Sequence, residues 1–147
     1  MNIVNSMQLS FISKSANESF ARAAVAAFLL PLDPTVAEIA DVKTAVSEAV
    51  TNAIVHAYPD TFGTVYITMK LTDTGKAIIQ IRDKGVGIAD IKQAMEPLYT
   101  TSSDERAGLG FAVMQSFTDG VKVRSAPGKG TTVTLEKNII RAAYGQK

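Results

Sequence analysis

Val65, Ile67, Met69 and Leu71 alternate with Tyr66, Thr68 and Lys70, and beyond the turn residues Asp73-Thr-Gly75-Lys76 the stretch Ala77 to Asp83 runs back beside them. Because a period of two sends alternate side chains to opposite faces, this is a hairpin with one apolar and one polar face. A sheet with a single apolar face must be covered on that face by other parts of the chain. Val121 to Ser125 and Thr131 to Lys137, joined by Ala-Pro-Gly-Lys-Gly, make a second hairpin, and Met7, Leu9 and Phe11 mark a short first strand.

Segments of helical period supply the cover. Ser15-Ala-Asn-Glu18 reads as a capping box opening a helix that carries Phe20, Ala24, Ala27 and Phe28 to about Leu30. Pro31 stops it, and Asp33 as N-cap with Pro34 at the first helical position opens a second helix to about His56. Val36, Ile39, Val42, Val46, Val50 and Ala53 form its apolar stripe, with Glu48 and Asn52 one turn apart away from that stripe.

A short helix is expected from about Asp90 to Met95, then a polar loop from Glu96 to Ala107, of a length common in lids. Gly108-Leu-Gly110 leads into a third helix through Phe111, Val113, Met114 and Phe117, ended by Asp119-Gly120. The expected fold is a two-layer α/β (α+β) sandwich whose mixed, mainly antiparallel sheet is covered by helices on one face. One domain fills residues 1–147, with its core over about 7–137 and a poorly ordered tail over 138–147.

The chemical inventory is narrow. With no cysteine, thiolate catalysis, disulfides and zinc–thiolate sites are excluded, and the one histidine, His56, has no nucleophile elbow to serve. Fifteen Lys plus Arg against fourteen Asp plus Glu leave a formal charge of +1, too little field for direct nucleic-acid or membrane binding. Lacking a leader or a spanning apolar run, the chain is expected to be cytoplasmic.

Asp83-Lys-Gly85-Val-Gly87 and Gly108-Leu-Gly110 flank the polar loop. Glycine permits close backbone approach, so the second pair suits phosphates at a helix N-terminus and the first lets a flat base pass the backbone; either pair alone is also an ordinary turn. A dinucleotide fingerprint and a Walker A loop both fail on spacing, and Gly128-Lys-Gly130-Thr131 is explained by its hairpin turn. Glu48 and Asn52 offer a base and a neutral oxygen for magnesium, or else a solvated helix face.

Glu48-Ala-Val-Thr-Asn52-Ala-Ile-Val-His56, Asp83-Lys-Gly-Val-Gly-Ile88 and Gly108-Leu-Gly110 together resemble, in order and spacing, the ATP-binding superfamily of gyrase, Hsp90, histidine kinases and MutL. Asn17-Glu-Ser-Phe-Ala-Arg22, Leu32-Asp-Pro-Thr35, Pro97-Leu-Tyr-Thr-Thr101 and Gly130-Thr-Thr-Val133 extend the likeness to the sporulation anti-sigma F factors, over nearly residues 7–137. The intact first glycine box favours them over the stress-response anti-sigma kinases. Ala57, where a glycine is often found, and a lid one residue short are modest departures.

The resemblance implies a Bergerat-type ATP-binding fold. In it Glu48 would be the general base toward a protein serine, Asn52 would bind Mg2+, Asp83 would accept from the adenine amino group with support from Thr131, and Gly85, Gly87, Gly108 and Gly110 would shape the nucleotide loops. Arg106 would approach the terminal phosphate, Thr100 and Thr101 would cap the lid or touch phosphate, Arg22 would meet the protein partners, and His56 would be structural. The implied ligands are ATP or ADP with Mg2+. The implied partners are sporulation sigma factor F, an anti-anti-sigma factor phosphorylated on serine, and a second copy in a homodimer. A nucleotide-gated sigma-binding module without kinase turnover is the rival reading; a fragment of a sensor kinase is disfavoured by ends that look complete.

Overall fold

Strands β1 (Ile3–Ile12), β2 (Thr64–Thr72), β3 (Lys76–Asp83), β4 (Gly120–Ala126) and β5 (Gly130–Asn138) form one sheet in the order β1-β2-β3-β5-β4. The computed structural model describes residues 1–90 and 105–139, with backbone alone for 105–109. Within them all neighbouring strand pairs are antiparallel. The two hairpins read from the alternation are present, and β1 extends further toward the N-terminus than the expected short strand.

Register explains the core. Ile67, Met69 and Leu71 of β2 lie opposite Ile81, Ile79 and Ala77 of β3, which in turn face Val133, Leu135 and Lys137 of β5. The first six of these, with Val133 and Leu135, are buried on the helix side of the sheet. The same period puts Asp83 at the end of that apolar row, opposite Val65 and Thr131.

Helices α1 (Asn17–Leu29), α2 (Val36–His56) and α3 (Glu105–Phe117) make the second layer, with α2 packed against both of the others and the sheet. Val42, Ala45, Val46, Ala49, Val50 and Ala53 of α2 are buried, and so are Phe111 and Met114 of α3. Val36, placed on the stripe from sequence, is 86% exposed because it occupies the first turn, ahead of the packed part of the helix.

Several local expectations need correction. The capping box at Ser15 does not form: Ala16 is the N-cap, in a helical conformation without a side-chain bond, because the backbone carbonyls of Lys14 and Ser15 already take the N–H groups of Asn17 and Glu18. Helix α1 buries Ala21, Val25 and Leu29, with Phe28 partly buried against the core but Phe20 exposed, so its apolar face is rotated away from Phe20. Asp33 closes a 3-10 turn, Leu30–Leu32, in a left-handed conformation (φ 58°) and therefore cannot open α2. Thr35 does so, in a full capping box with Glu38 at 2.8 and 3.0 Å.

Helix α3 begins at Glu105, so Gly108 and Gly110 lie inside it and not in a loop ahead of it. The short helix expected up to Met95 and most of the polar loop fall outside the described residues, as does the tail beyond Ile139. No helix among the described residues is long and apolar enough to cross a membrane.

Candidate active site

Glu48 and Asn52 are half-buried on α2, in contrast to the solvated face that composition allows. The cause is Gly110. A β-carbon there would lie 3.1 Å from Asn52 Nδ2, 3.3 Å from Asn52 Oδ1 and 3.3 Å from Glu48 Oε2, so α3 crosses directly over both groups. A glycine inside a helix costs ~1 kcal/mol relative to alanine, and here the missing side chain leaves the carboxylate and amide uncovered by carbon.

Both polar atoms of the Asn52 amide are buried and have no hydrogen-bond partner among the described residues. Such a group costs roughly 1–3 kcal/mol per unsatisfied donor or acceptor, so its retention points to a ligand. Its Oδ1 is a hard neutral oxygen of the kind magnesium accepts when phosphate and water complete the shell. The residues present therefore fit a magnesium-bearing phosphate ligand.

Asp83 forms the second half of the site. It is 7% exposed, and its Oδ1 accepts the backbone N–H groups of Gly85 at 3.0 Å and Thr131 at 3.2 Å. Burial pushes its carboxyl above the ordinary value, an effect that those two backbone donors partly offset. Both donors use one oxygen, which leaves Oδ2 to accept from an amino group.

The loop after Asp83 is gripped from two sides. Ala57 at the end of α2 accepts the Val86 N–H at 2.9 Å, and a β-carbon on Gly85 would stand 2.1 Å from that carbonyl oxygen. Across the loop, Gly87 has φ 77° and would drive a β-carbon to 2.1 Å from the Ala126 carbonyl oxygen, while the Gly128 N–H reaches Val86 O at 2.7 Å. The close approach that these glycines allow is thus made by neighbouring protein backbone, where sequence suggested a passing base.

Ser125, which sequence reasoning missed, belongs to the same clamp. Its Oγ accepts the Ile88 N–H at 2.7 Å and meets Thr131 Oγ1 at 2.7 Å. Its hairpin partner in register is Thr131, so pairing the strands residue by residue would have found it.

The structure brings Glu48, Asn52 and Gly110 together, and joins Asp83, Gly85, Gly87 and Thr131 into the adjoining loop. Ala57 touches that loop and lies about 7.5 Å along the helix axis from Asn52, so both halves share one end of α2. Arg22 stands apart on α1, 3.6 Å from the Glu18 carboxylate, which also takes the Ser47 hydroxyl. Gly108 is in the first turn of α3; the Arg106 side chain and both Thr100 and Thr101 lie outside the described residues.

Comparison with known proteins identifies the family. Residues 13–137 match the model of the histidine kinase-like ATPase domain. An anti-sigma F factor of Caldanaerobacter subterraneus subsp. tengcongensis is 55% identical over 142 residues, covering 96% of this chain and 99% of the relative. The anti-sigma F factor of Clostridium acetobutylicum is 54% identical over 136 residues, covering 92% and 94%.

Among solved structures, the RsbU and RsbW domains of Rv1364c from Mycobacterium tuberculosis superpose with a TM-score of 0.70 at 20% identity over 95% of this chain. The Erythrobacter litoralis EL346 blue-light activated histidine kinase does so with a TM-score of 0.57 at 21% identity over 73% of it. The chain spans about a third of each, 34% and 32%, and at these identities the likeness is one of fold.

Proposed function

This chain belongs to the histidine kinase-like ATPase domain family and, within it, to the anti-sigma F factors, and on that premise we propose that it is an ATP-dependent protein serine kinase as well as an anti-sigma factor. It holds sporulation sigma factor F inactive and phosphorylates a serine of the anti-anti-sigma antagonist. The observation that carries the kinase half is the buried Asn52 amide, without a hydrogen-bond partner among the described residues, one helical turn from the Glu48 carboxylate and facing Gly110.

In this reading Asp83 accepts from the adenine amino group through Oδ2, while Gly85 and Thr131 hold its other oxygen in place. Asn52 Oδ1 would hold a magnesium ion, which would supply neutralisation of phosphate charge. Glu48 takes the proton from the antagonist serine as its oxygen bonds to the γ-phosphorus. The bond from that phosphorus to the β,γ-bridging oxygen breaks, and ADP is released. Arg106, at the start of α3, stabilises charge on the transferring group, Thr100 and Thr101 cap the lid or contact phosphate, and Gly108, in the first turn of α3, helps shape the nucleotide site. Such catalysis is mostly positioning and electrostatics.

Arg22, half-buried on α1 beside Glu18, is the partner contact, and the protein works as a homodimer. Switching between sigma factor and antagonist then requires that ATP and ADP favour different binding surfaces, because a ligand shifts an equilibrium only by its differential affinity.

The test is transfer of labelled γ-phosphate from ATP to the antagonist by the wild type and by Glu48→Gln. Transfer by the wild type alone, with ATP binding retained in the variant, supports the kinase. ATP binding without transfer in the wild type overturns it in favour of a nucleotide-gated sigma-binding module.

A further inference from the structure

Immediately after α2, the Tyr58 hydroxyl accepts the backbone N–H of Lys84 at 2.7 Å and donates to the carbonyl of Thr64 at 2.8 Å. Lys84 follows Asp83 directly, and Thr64 is the first residue of β2. The ring is fixed in turn by Gly63, where a β-carbon would stand 2.2 Å from Tyr58 Cε1. Ala57, the preceding residue, accepts the N–H of Val86 at 2.9 Å. Two successive residues at the end of the helix that carries Glu48 and Asn52 thus grip positions 84 and 86. Between them lies Gly85, whose N–H is one of the two that orient the Asp83 carboxylate.

We propose that Tyr58 is a positioning residue for base recognition: through the Lys84 N–H it fixes the Asp83–Lys84 peptide, next to the one whose Gly85 N–H bonds Asp83, and so helps fix the carboxylate for the adenine amino group. The inference rests on the reading of Asp83 as the adenine acceptor. Tyr58 touches no reacting atom. Removing its oxygen leaves the ring packed and frees two backbone groups, the exposed Lys84 N–H and the part-buried Thr64 carbonyl, both of which water can satisfy, so Tyr58→Phe should fold. What it loses is the fixed direction of the loop, which matters only to a ligand that hydrogen-bonds Asp83.

The test titrates magnesium-ATP and magnesium-inosine triphosphate, which carries an oxo group in place of the amino group, into wild type, Tyr58→Phe and Asp83→Asn. Wild type is expected to prefer ATP. Tyr58→Phe is expected to lose about fivefold of that preference, the order of one hydrogen bond, by weaker ATP binding with the inosine nucleotide unchanged and the melting temperature held. Equal weakening of both nucleotides, or a preference kept in full, overturns the proposal by making Tyr58 merely structural. A wild type without preference, or Asp83→Asn with the wild-type preference, shows instead that Asp83 does not read the base and removes the proposal with it.

Discussion

Gly110 of α3 faces the Asn52 amide of α2 so closely that even a β-carbon would be tight, 3.1 Å from Nδ2 and 3.3 Å from Oδ1. Two helices that cross through a glycine normally gain close packing. Here the crossing sets a glycine, with no side-chain carbon, against the Asn52 amide and the Glu48 carboxylate.

Gly110→Ala separates these two roles. Alanine is favoured over glycine in a helix by ~1 kcal/mol, and the Asn52 amide, with no hydrogen bond to lose among the described residues, can shift by the few tenths of an ångström needed. The expected outcome is an unchanged or higher melting temperature together with roughly tenfold weaker magnesium-ATP binding, about 1.4 kcal/mol. Calorimetry and thermal melts on one sample check it; ATP affinity equal to wild type refutes the placement of phosphate at this crossing.

Asp83 gives a pH signature. Its carboxyl sits above the ordinary 3.8 because burial penalises the charged form, so its contribution to stability is fully present below that value and is lost as pH rises through the raised one. Asp83→Asn keeps an oxygen for the Gly85 and Thr131 N–H groups without the charge. The nucleotide-free variant should therefore melt above wild type near neutral pH, with the gap closing toward about pH 4. Thermal melts across that range decide; a gap that widens on acidification reverses the sign.

Thr35→Ala tests a feature remote from the site. It removes the side-chain acceptor for the Glu38 N–H and half of the capping box, which costs about 1 kcal/mol. For a chain of this size the melting temperature should fall by about 2–4 °C, with phosphoryl transfer per folded molecule unchanged. Asp33→Ala, by contrast, should not act as an N-cap loss, since Asp33 ends the preceding turn.

What was legible in the sequence was whatever depends on near neighbours. The alternation of Val65 to Leu71 and Ala77 to Asp83 gave both strands, and the stripe from Val36 to Ala53, apart from its exposed first residue, gave α2. Where two local signals compete, neighbours do not decide. Asp33 and Thr35 both have N-cap chemistry, and the 3-10 turn at Leu30–Leu32 chooses between them. The phase of α1 was misread because Phe20 outweighs Ala21 in apolar area, although the smaller residue is the buried one.

The site's closest contacts were illegible for a different reason. Gly85 against Ala57, Gly87 against Ala126 and Gly110 against Asn52 join residues far apart in the chain. Sequence shows that a glycine is there; only the fold shows what approaches it.

Asn52 itself supplies the last prediction. A buried amide without partners among the described residues lowers the stability of the ligand-free protein, and a bound ligand that satisfies it returns that stability. Asn52→Ala removes the unpaired donor and acceptor together, at the cost of a small gap beside Gly110. The nucleotide-free variant should melt no lower than wild type. Its further rise on adding magnesium to saturating ATP should be lost, whereas in the wild type magnesium should add several degrees. Because the two effects have opposite signs, a general loss of fold cannot imitate them. Melts recorded with ATP, with and without magnesium, carry the decision: a magnesium-dependent rise that survives in Asn52→Ala would place the metal on other residues.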